Sequence, residues 1–384
     1  MRSKTLIAAL LCAAILFTLL AGCQSENDEA PDSAPPEAPA SDGSAETEIV
    51  EGIDFEAAFA TFAPDTVMIT ANGYSVTWAE LFFMLHSNIN SLTAAAGELP
   101  DLSTTLPNGI TYAQALIDRA VEDALQSRAF EYGAMLSGMT LSGVELEMLE
   151  FSVEEMISMA GNEEALLALL WEHSGIKDLA LFEYFVYVDY LPLMLFHHLF
   201  GEMGNKVTDE EAAQFTRDDG FLMAKHIIRS KHEDDSDVRL EELQDLLVRL
   251  SDYQGDDFEA YFDDLMFEYS EDQGGLAVFP DGYLFQRGDL DTPFYEAVAA
   301  LEIGDFYGIV ESHDGYHIVL RTPVNFDVIP VSEAFMGDSG TLRFLTAVAM
   351  FEAELNDWRN SLAPVFTPAF ESIDLAAIFV WHEP

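Results

Sequence analysis

Cysteine is almost absent from this chain. Of 384 residues only Cys12 and Cys23 carry a thiol, and both stand near the amino terminus. No disulfide can staple the rest, so stability has to come from buried apolar surface, which a chain of this length with 49% hydrophobic residues can supply. Basic residues are the second scarcity: 16 Lys and Arg stand against 69 Asp and Glu, a formal net charge of −53. So acidic a surface excludes nucleic acid as a partner and is repelled by anionic headgroups, which leaves neutral or basic partners. Groupings with metal-ligand spacing are lacking too. Glu233-Asp234-Asp235-Ser236-Asp237 is acidic without the spacing of a calcium loop, and His197 and His198, adjacent on a helical pattern, cannot face one point.

What is present begins with a basic start, Arg2 and Lys4, an apolar run from Leu6 to Leu20, and Leu20-Ala21-Gly22-Cys23, which resembles a lipobox. The run is too short for a membrane span and reads as a secretory signal over 1–22. The expectation is a lipoprotein: Cys23 diacylated, two acyl chains holding the protein on the extracytoplasmic face of a bacterial cell membrane. Residues 23–54 are rich in Glu, Asp, Pro, Ala and Ser and read as a disordered tether.

Folded sequence starts near Phe55. Apolar runs on either side of Asn72-Gly73 predict a hairpin, and Thr77 with Glu80 forms a capping box that opens a helix. Helical periodicity follows over 112–135, 143–159 behind the box Ser142 and Glu145, 163–171, and 177–200. The last is apolar enough to be mistaken for a span, but Glu183, Asp189 and the internal Pro192 favour a buried helix. Thr208 and Glu211 cap one more helix. Near the end, Leu345, Val348, Phe351, Leu355 and Trp358 place an apolar face on a helix over 342–362.

Residues 221–323 concentrate the chemistry. Ala224-Lys225-His226-Ile227-Ile228 reads as a strand with an imidazole in its middle, and Gly315-Tyr316-His317-Ile318 opens a second such strand. Between them lie helical patterns over 238–252 and 258–269, a turn-rich segment over 270–285, and a short helix beginning near Pro293, giving the order β-α-α-β-α-β-β. By itself a histidine in a strand is an ordinary core residue, and Asp272 sits in an acidic turn where local hydrogen bonding explains an aspartate.

In their order and spacing, Ala224 to Ile228, Phe267-Glu268-Tyr269-Ser270-Glu271-Asp272, Arg287-Gly288 followed by Pro293-Phe294, and Gly315 to Ile318 resemble the parvulin-type peptidyl-prolyl isomerases of PrsA/SurA-like extracytoplasmic foldases. The resemblance implies an α+β fold, a small parvulin domain with a four-stranded sheet and helices (216–325) inserted in a mostly α-helical chaperone-like domain. The latter would comprise 55–215 and a carboxy-terminal helix in 326–384 that packs back on it. It also implies a site: His226, His317 and Asp272 as the catalytic group, and Leu290, Phe294, Tyr283 and Phe285 as the wall that binds the substrate. The family's methionine is Leu290 here, a swap of similar volume. Its Gly-rich roof is replaced by Pro280-Asp281-Gly282-Tyr283-Leu284-Phe285, which puts the shape of that loop in question. No metal or cofactor is implied. The partners implied are unfolded or partly folded secreted polypeptides with X-Pro bonds, and the membrane through the lipid anchor. A second reading stays open, a holding chaperone whose isomerase domain has lost activity.

Overall fold

The computed structural model describes residues 55–231, 236–336 and 340–379. The signal segment, Cys23, the tether and Glu233 to Asp235 lie outside these. The described residues separate into two compact units, one drawn from Met1–Leu199 and Phe351–Pro384, the other Phe200–Met350.

In the first unit α1 (Phe55–Thr61) precedes a hairpin of β1 (Val67–Ala71) and β2 (Tyr74–Thr77). Its turn needs positive φ at both central residues, and Asn72 (45°) and Gly73 (89°) provide it. Five helices follow: α2 (Trp78–Ala96), α3 (Tyr112–Leu136), α4 (Gly143–Ala160), α5 (Glu163–Ser174) and α6 (Leu179–Phe200). The Thr77 box forms as expected, with the Thr77 N–H donating to the Glu80 carboxylate at 2.7 Å and the Glu80 N–H to the Thr77 hydroxyl at 3.4 Å. α6 is long and apolar enough to cross a membrane by length and composition. Phe182, Leu191 and Leu195 on it are fully buried.

The second unit opens with α7 (Asp209–Asp219) and β3 (Leu222–Ser230). It continues through α8 (Ser236–Ser251), α9 (Phe258–Tyr269), α10 (Gln273–Val278), β4 (Tyr283–Phe285), α11 (Thr292–Ala299), β5 (Phe306–Glu311), β6 (Gly315–Thr322) and α12 (Val331–Met336). Four antiparallel strands run in the order β4-β3-β6-β5. Period-2 alternation sorts the side chains. Ile227, Ile318 and Leu320 face a core completed by Leu243, Leu246, Phe262 and Leu265 of α8 and α9. Leu222, Ala224 and Val319 face the other way, onto Phe294 and Val298 of α11 and Val331 of α12. One cation is buried on the first face: Lys225, 6% exposed, is held by Glu259 and Asp263 of α9, each at 2.8 Å.

Two features differ from the expected layout, the first for a local reason and the second through long-range packing. The first half of the turn-rich segment is a helix, α10, because the Asp272 side chain accepts the Gly275 N–H at 2.9 Å and caps it. The unit also runs beyond 216–325, to Met350. α13 (Leu342–Ser361) begins in it: Leu342 packs with Phe221, Met223 and Leu284, and Arg343 binds Asp209 and Asp327 at 2.8 and 2.7 Å. The remainder of α13 belongs to the first unit. There Phe351 packs on Phe130 and Phe196, β7 (Val365–Phe366) pairs with β1 as a third strand, and α14 (Pro368–Glu371) and α15 (Leu375–Ile378) are the last elements among the described residues. The sheet-bearing unit is thus an insertion in the helical one.

Candidate functional site

The register of β3 on β6 opposes His226 to Val319 and Ile228 to His317. His226 and His317 are therefore diagonal neighbours on one face of the sheet, beside the apolar residues that meet α11. Their rings lie 5.2 Å apart between centroids at 29°, with Nδ1 to Nδ1 at 3.2 Å. Both are buried, at 8% and 4% exposure.

Asp272 reaches this pair because the chain after α9 docks on the outer edge of β3. Ser270 Oγ accepts the Ile228 N–H, the Glu271 N–H donates to the Ile228 carbonyl at 3.1 Å, and the Glu271 carboxylate accepts the Ser230 N–H at 2.8 Å. The next residue then faces His226, whose Nε2 lies 3.1 Å from Asp272 Oδ2. The Tyr283 hydroxyl from β4 donates to the same oxygen. Position 275 has to be glycine, since a Cβ there would collide with the Tyr283 hydroxyl and the Asp272 carboxylate.

At the other end of the pair stands Ser312, in the turn between β5 and β6. Its Oγ accepts the N–H of Asp314 at 3.1 Å and of Gly315 at 3.3 Å. With both lone pairs used, its hydrogen points to His317 Nε2 at 2.7 Å. His317 then carries its hydrogen on Nδ1 and donates to His226 Nδ1, and His226 donates from Nε2 to Asp272. The donors run in one direction from Ser312 to Asp272, and each ring needs a single hydrogen.

Electrostatics follow this order. The hydrogen bond from His226 holds the Asp272 carboxyl well below the usual carboxylate range against its burial, helped by Tyr283 and the Gly275 N–H. Burial, and then the Asp272 carboxylate, push Tyr283 above its ordinary value. Burial, followed by the proximity of His226, brings His317 down to about 3.

The chain of groups forms one wall of an open cavity of about 570 Å³. Leu290, Phe294, Val278 and Phe279 give it an apolar lining, and the Phe294 ring stands edge-on to both imidazoles, 5.5 Å from His226 and 5.4 Å from His317. Of the residues expected from the sequence, His226, His317, Asp272, Leu290, Phe294 and Tyr283 come together here. Phe285 does not line the cavity. It is fully buried, and its ring supports Phe294 from behind at 5.6 Å. Sequence reasoning missed Ser312, Val278 and Phe279. Ser312 left only a weak signal, a hydroxyl three residues ahead of the Gly315 strand. The other two were concealed in a segment read as turn. Among the described residues no group of His, Cys, Asp or Glu has the arrangement of a metal site.

The Rotamase family, described as the PPIC-type PPIase domain, matches residues 226–322. No curated protein matches the chain. Solved structures similar to it include PrsA from Bacillus subtilis, at 16% identity over 81% of this chain and 94% of that one, TM-score 0.25. PrsA from Bacillus cereus shows 17% identity over 70% and 95%, TM-score 0.29. A SurA-like chaperone of Campylobacter jejuni shows 18% over 78% and 98%, TM-score 0.23. The two strands that carry His226 and His317 bracket the matched segment, and residues 226–322 of this chain are a parvulin-type, PPIC-type peptidyl-prolyl isomerase domain.

Proposed function

We propose that this chain catalyses cis–trans isomerisation of X-Pro bonds in unfolded secreted polypeptides, working from the extracytoplasmic face of a bacterial membrane to which a lipid on Cys23 ties it. One observation carries the catalytic part: two hydrogen-bonded imidazoles border an open cavity beside an apolar patch of Leu290, Phe294, Val278 and Phe279. Rotation about a peptide bond has a barrier of about 18–20 kcal/mol because the planar amide is resonance-stabilised. X-Pro bonds populate both isomers and exchange slowly, over tens to hundreds of seconds. A cavity that strips water from the prolyl carbonyl disfavours the planar, strongly dipolar ground state more than the twisted amide. Each ~1.4 kcal/mol of that difference is tenfold in rate.

The residues divide this work. Leu290 and Phe294 grip the ring. His226 and His317, locked by Ser312 at one end and Asp272 at the other, present a wall of fixed polarity that does not reorganise as the amide twists. No covalent role for Asp272 is needed: its carboxylate accepts from His226, Tyr283 and the Gly275 N–H and so holds the imidazole pair in place.

The test is exchange of a short X-Pro peptide, followed by NMR with the full chain present. Phe294→Ala and His226→Ala should slow exchange at an unchanged circular dichroism spectrum, and full activity in both overturns the assignment. A chain that leaves exchange at its background rate yet suppresses aggregation of a denatured protein is a holding chaperone instead. For the anchor, the intact mass of the membrane-extracted protein should carry an acylated Cys23, and Cys23→Ser should remove it.

A further inference from the structure

We propose that the outer face of α4 is a docking surface for cationic amphipathic helices. α4 is already fixed on its inner side, where Val153 and Met156 are buried with Leu166, Leu170 and Phe182, and Leu149 and Ile157 pack at the edge of that cluster. The outer side of such a helix is ordinarily polar. Here it carries Val144, Met148, Phe151 and Met159, exposed by 76%, 37%, 64% and 55%. At 3.6 residues per turn these four share an arc of about 80° and a length of about 22 Å, centred opposite the buried face. None of them contributes to the folded core. An apolar stripe of four turns in this position is the shape that a second helix lays itself against.

Charge selects the occupant. Glu147 and Glu154 follow one edge of the stripe, Glu150 stands farther round on the same side and Glu155 interrupts the stripe, all four exposed, and α4 contains no lysine or arginine. A second copy of this chain would bring the same glutamates, and the acidic segment over 23–54 would be repelled in the same way. The partner that satisfies both features has its own apolar stripe flanked by Lys or Arg. Met148 and Met159 suit such a partner, since an unbranched thioether adapts to differing apolar faces while an acidic rim supplies the selection.

The probe is a fluorescent peptide of about 16 residues, the length of the stripe, with Leu at helical spacing and Lys elsewhere. With the full chain it should bind, turn helical by circular dichroism, and weaken markedly between about 50 and about 500 mM salt. The combined variant Val144→Ser, Met148→Ser, Phe151→Ser changes only exposed side chains and should weaken binding about tenfold or more. Glu147→Gln, Glu150→Gln, Glu154→Gln and Glu155→Gln together should lower affinity at low salt and flatten the salt dependence. A peptide with Glu in place of Lys should not bind. Wild-type affinity in the serine variant would mean that the general acidity of the chain attracts the peptide, and the proposal fails. It fails equally if the Glu peptide binds as well, or if the chain sediments as a dimer that the serine variant dissociates.

Discussion

Acid should loosen the sheet-bearing unit through a single imidazole. His317 titrates near 6.5 in an unfolded chain and at about 3 in the folded one, first because it is buried and then because His226 lies against it. Its Nε2 faces the Ser312 hydroxyl, whose lone pairs are taken by two backbone N–H groups, so an added proton has no acceptor there. The folded state therefore favours the neutral ring. Its contribution to stability is complete above pH 6.5 and is lost as the pH falls toward 3. The unfolded chain binds about half a proton more at this site at pH 6.5 and nearly one more at about pH 4.5, where the slope approaches about 1.4 kcal/mol per pH unit, so a fall between the two removes about 2 kcal/mol. The depressed Asp272 adds its own loss only below its ordinary 3.8. Hydrogen exchange of the β3 and β6 amides, measured at both pH values in the wild type and in His317→Gln, isolates the effect. The variant should start less stable but lose less on acidification. Equal losses in the two proteins would refute the assignment of the buried neutral ring.

Phe294→Ala should cost about 3 kcal/mol by opening a void under both imidazoles, a loss readable as a lower urea midpoint together with the slower X-Pro exchange. Arg128→Ala should destabilise the helical unit by about 3–5 kcal/mol, because it strands Glu80 and Glu131, each paired with the guanidinium at 2.6 Å and only 13% and 16% exposed; thermal unfolding followed by tryptophan fluorescence measures it. Gly133→Ala would set a Cβ 2.5 Å from the Trp358 ring, and a lowering of the same unfolding temperature by an overpacking cost of about 1–3 kcal/mol is expected.

Much of this architecture was legible along the chain because its causes are local. Asn72-Gly73 dictates a hairpin by backbone conformation alone, and the boxes at Thr77 and Thr208 start their helices with groups three residues apart. The strands bearing His226 and His317 announced themselves by β-branched and apolar neighbours, and their order and spacing carried the family resemblance. The acidic balance and the scarcity of thiols are likewise properties of composition, independent of any fold.

Tertiary structure decided what depends on residues distant in sequence. Only the register of β3 on β6 makes the two histidines diagonal neighbours, since a one-residue slip would turn one of them to the opposite core. Ser312 gains its role from the turn that folds it under His317. Phe285 and Tyr283, two residues apart on one short strand, parted company because Tyr283 reaches the Asp272 carboxylate while Phe285 is driven behind Phe294. The same holds for the end of the sheet-bearing unit, where periodicity shows one uninterrupted helix over 342–362. Its division at Phe351 arises from packing: Leu342 is buried with Met223 and Leu284, Phe351 with Phe130 and Phe196, and no local signal records which distant residues a helical face will meet.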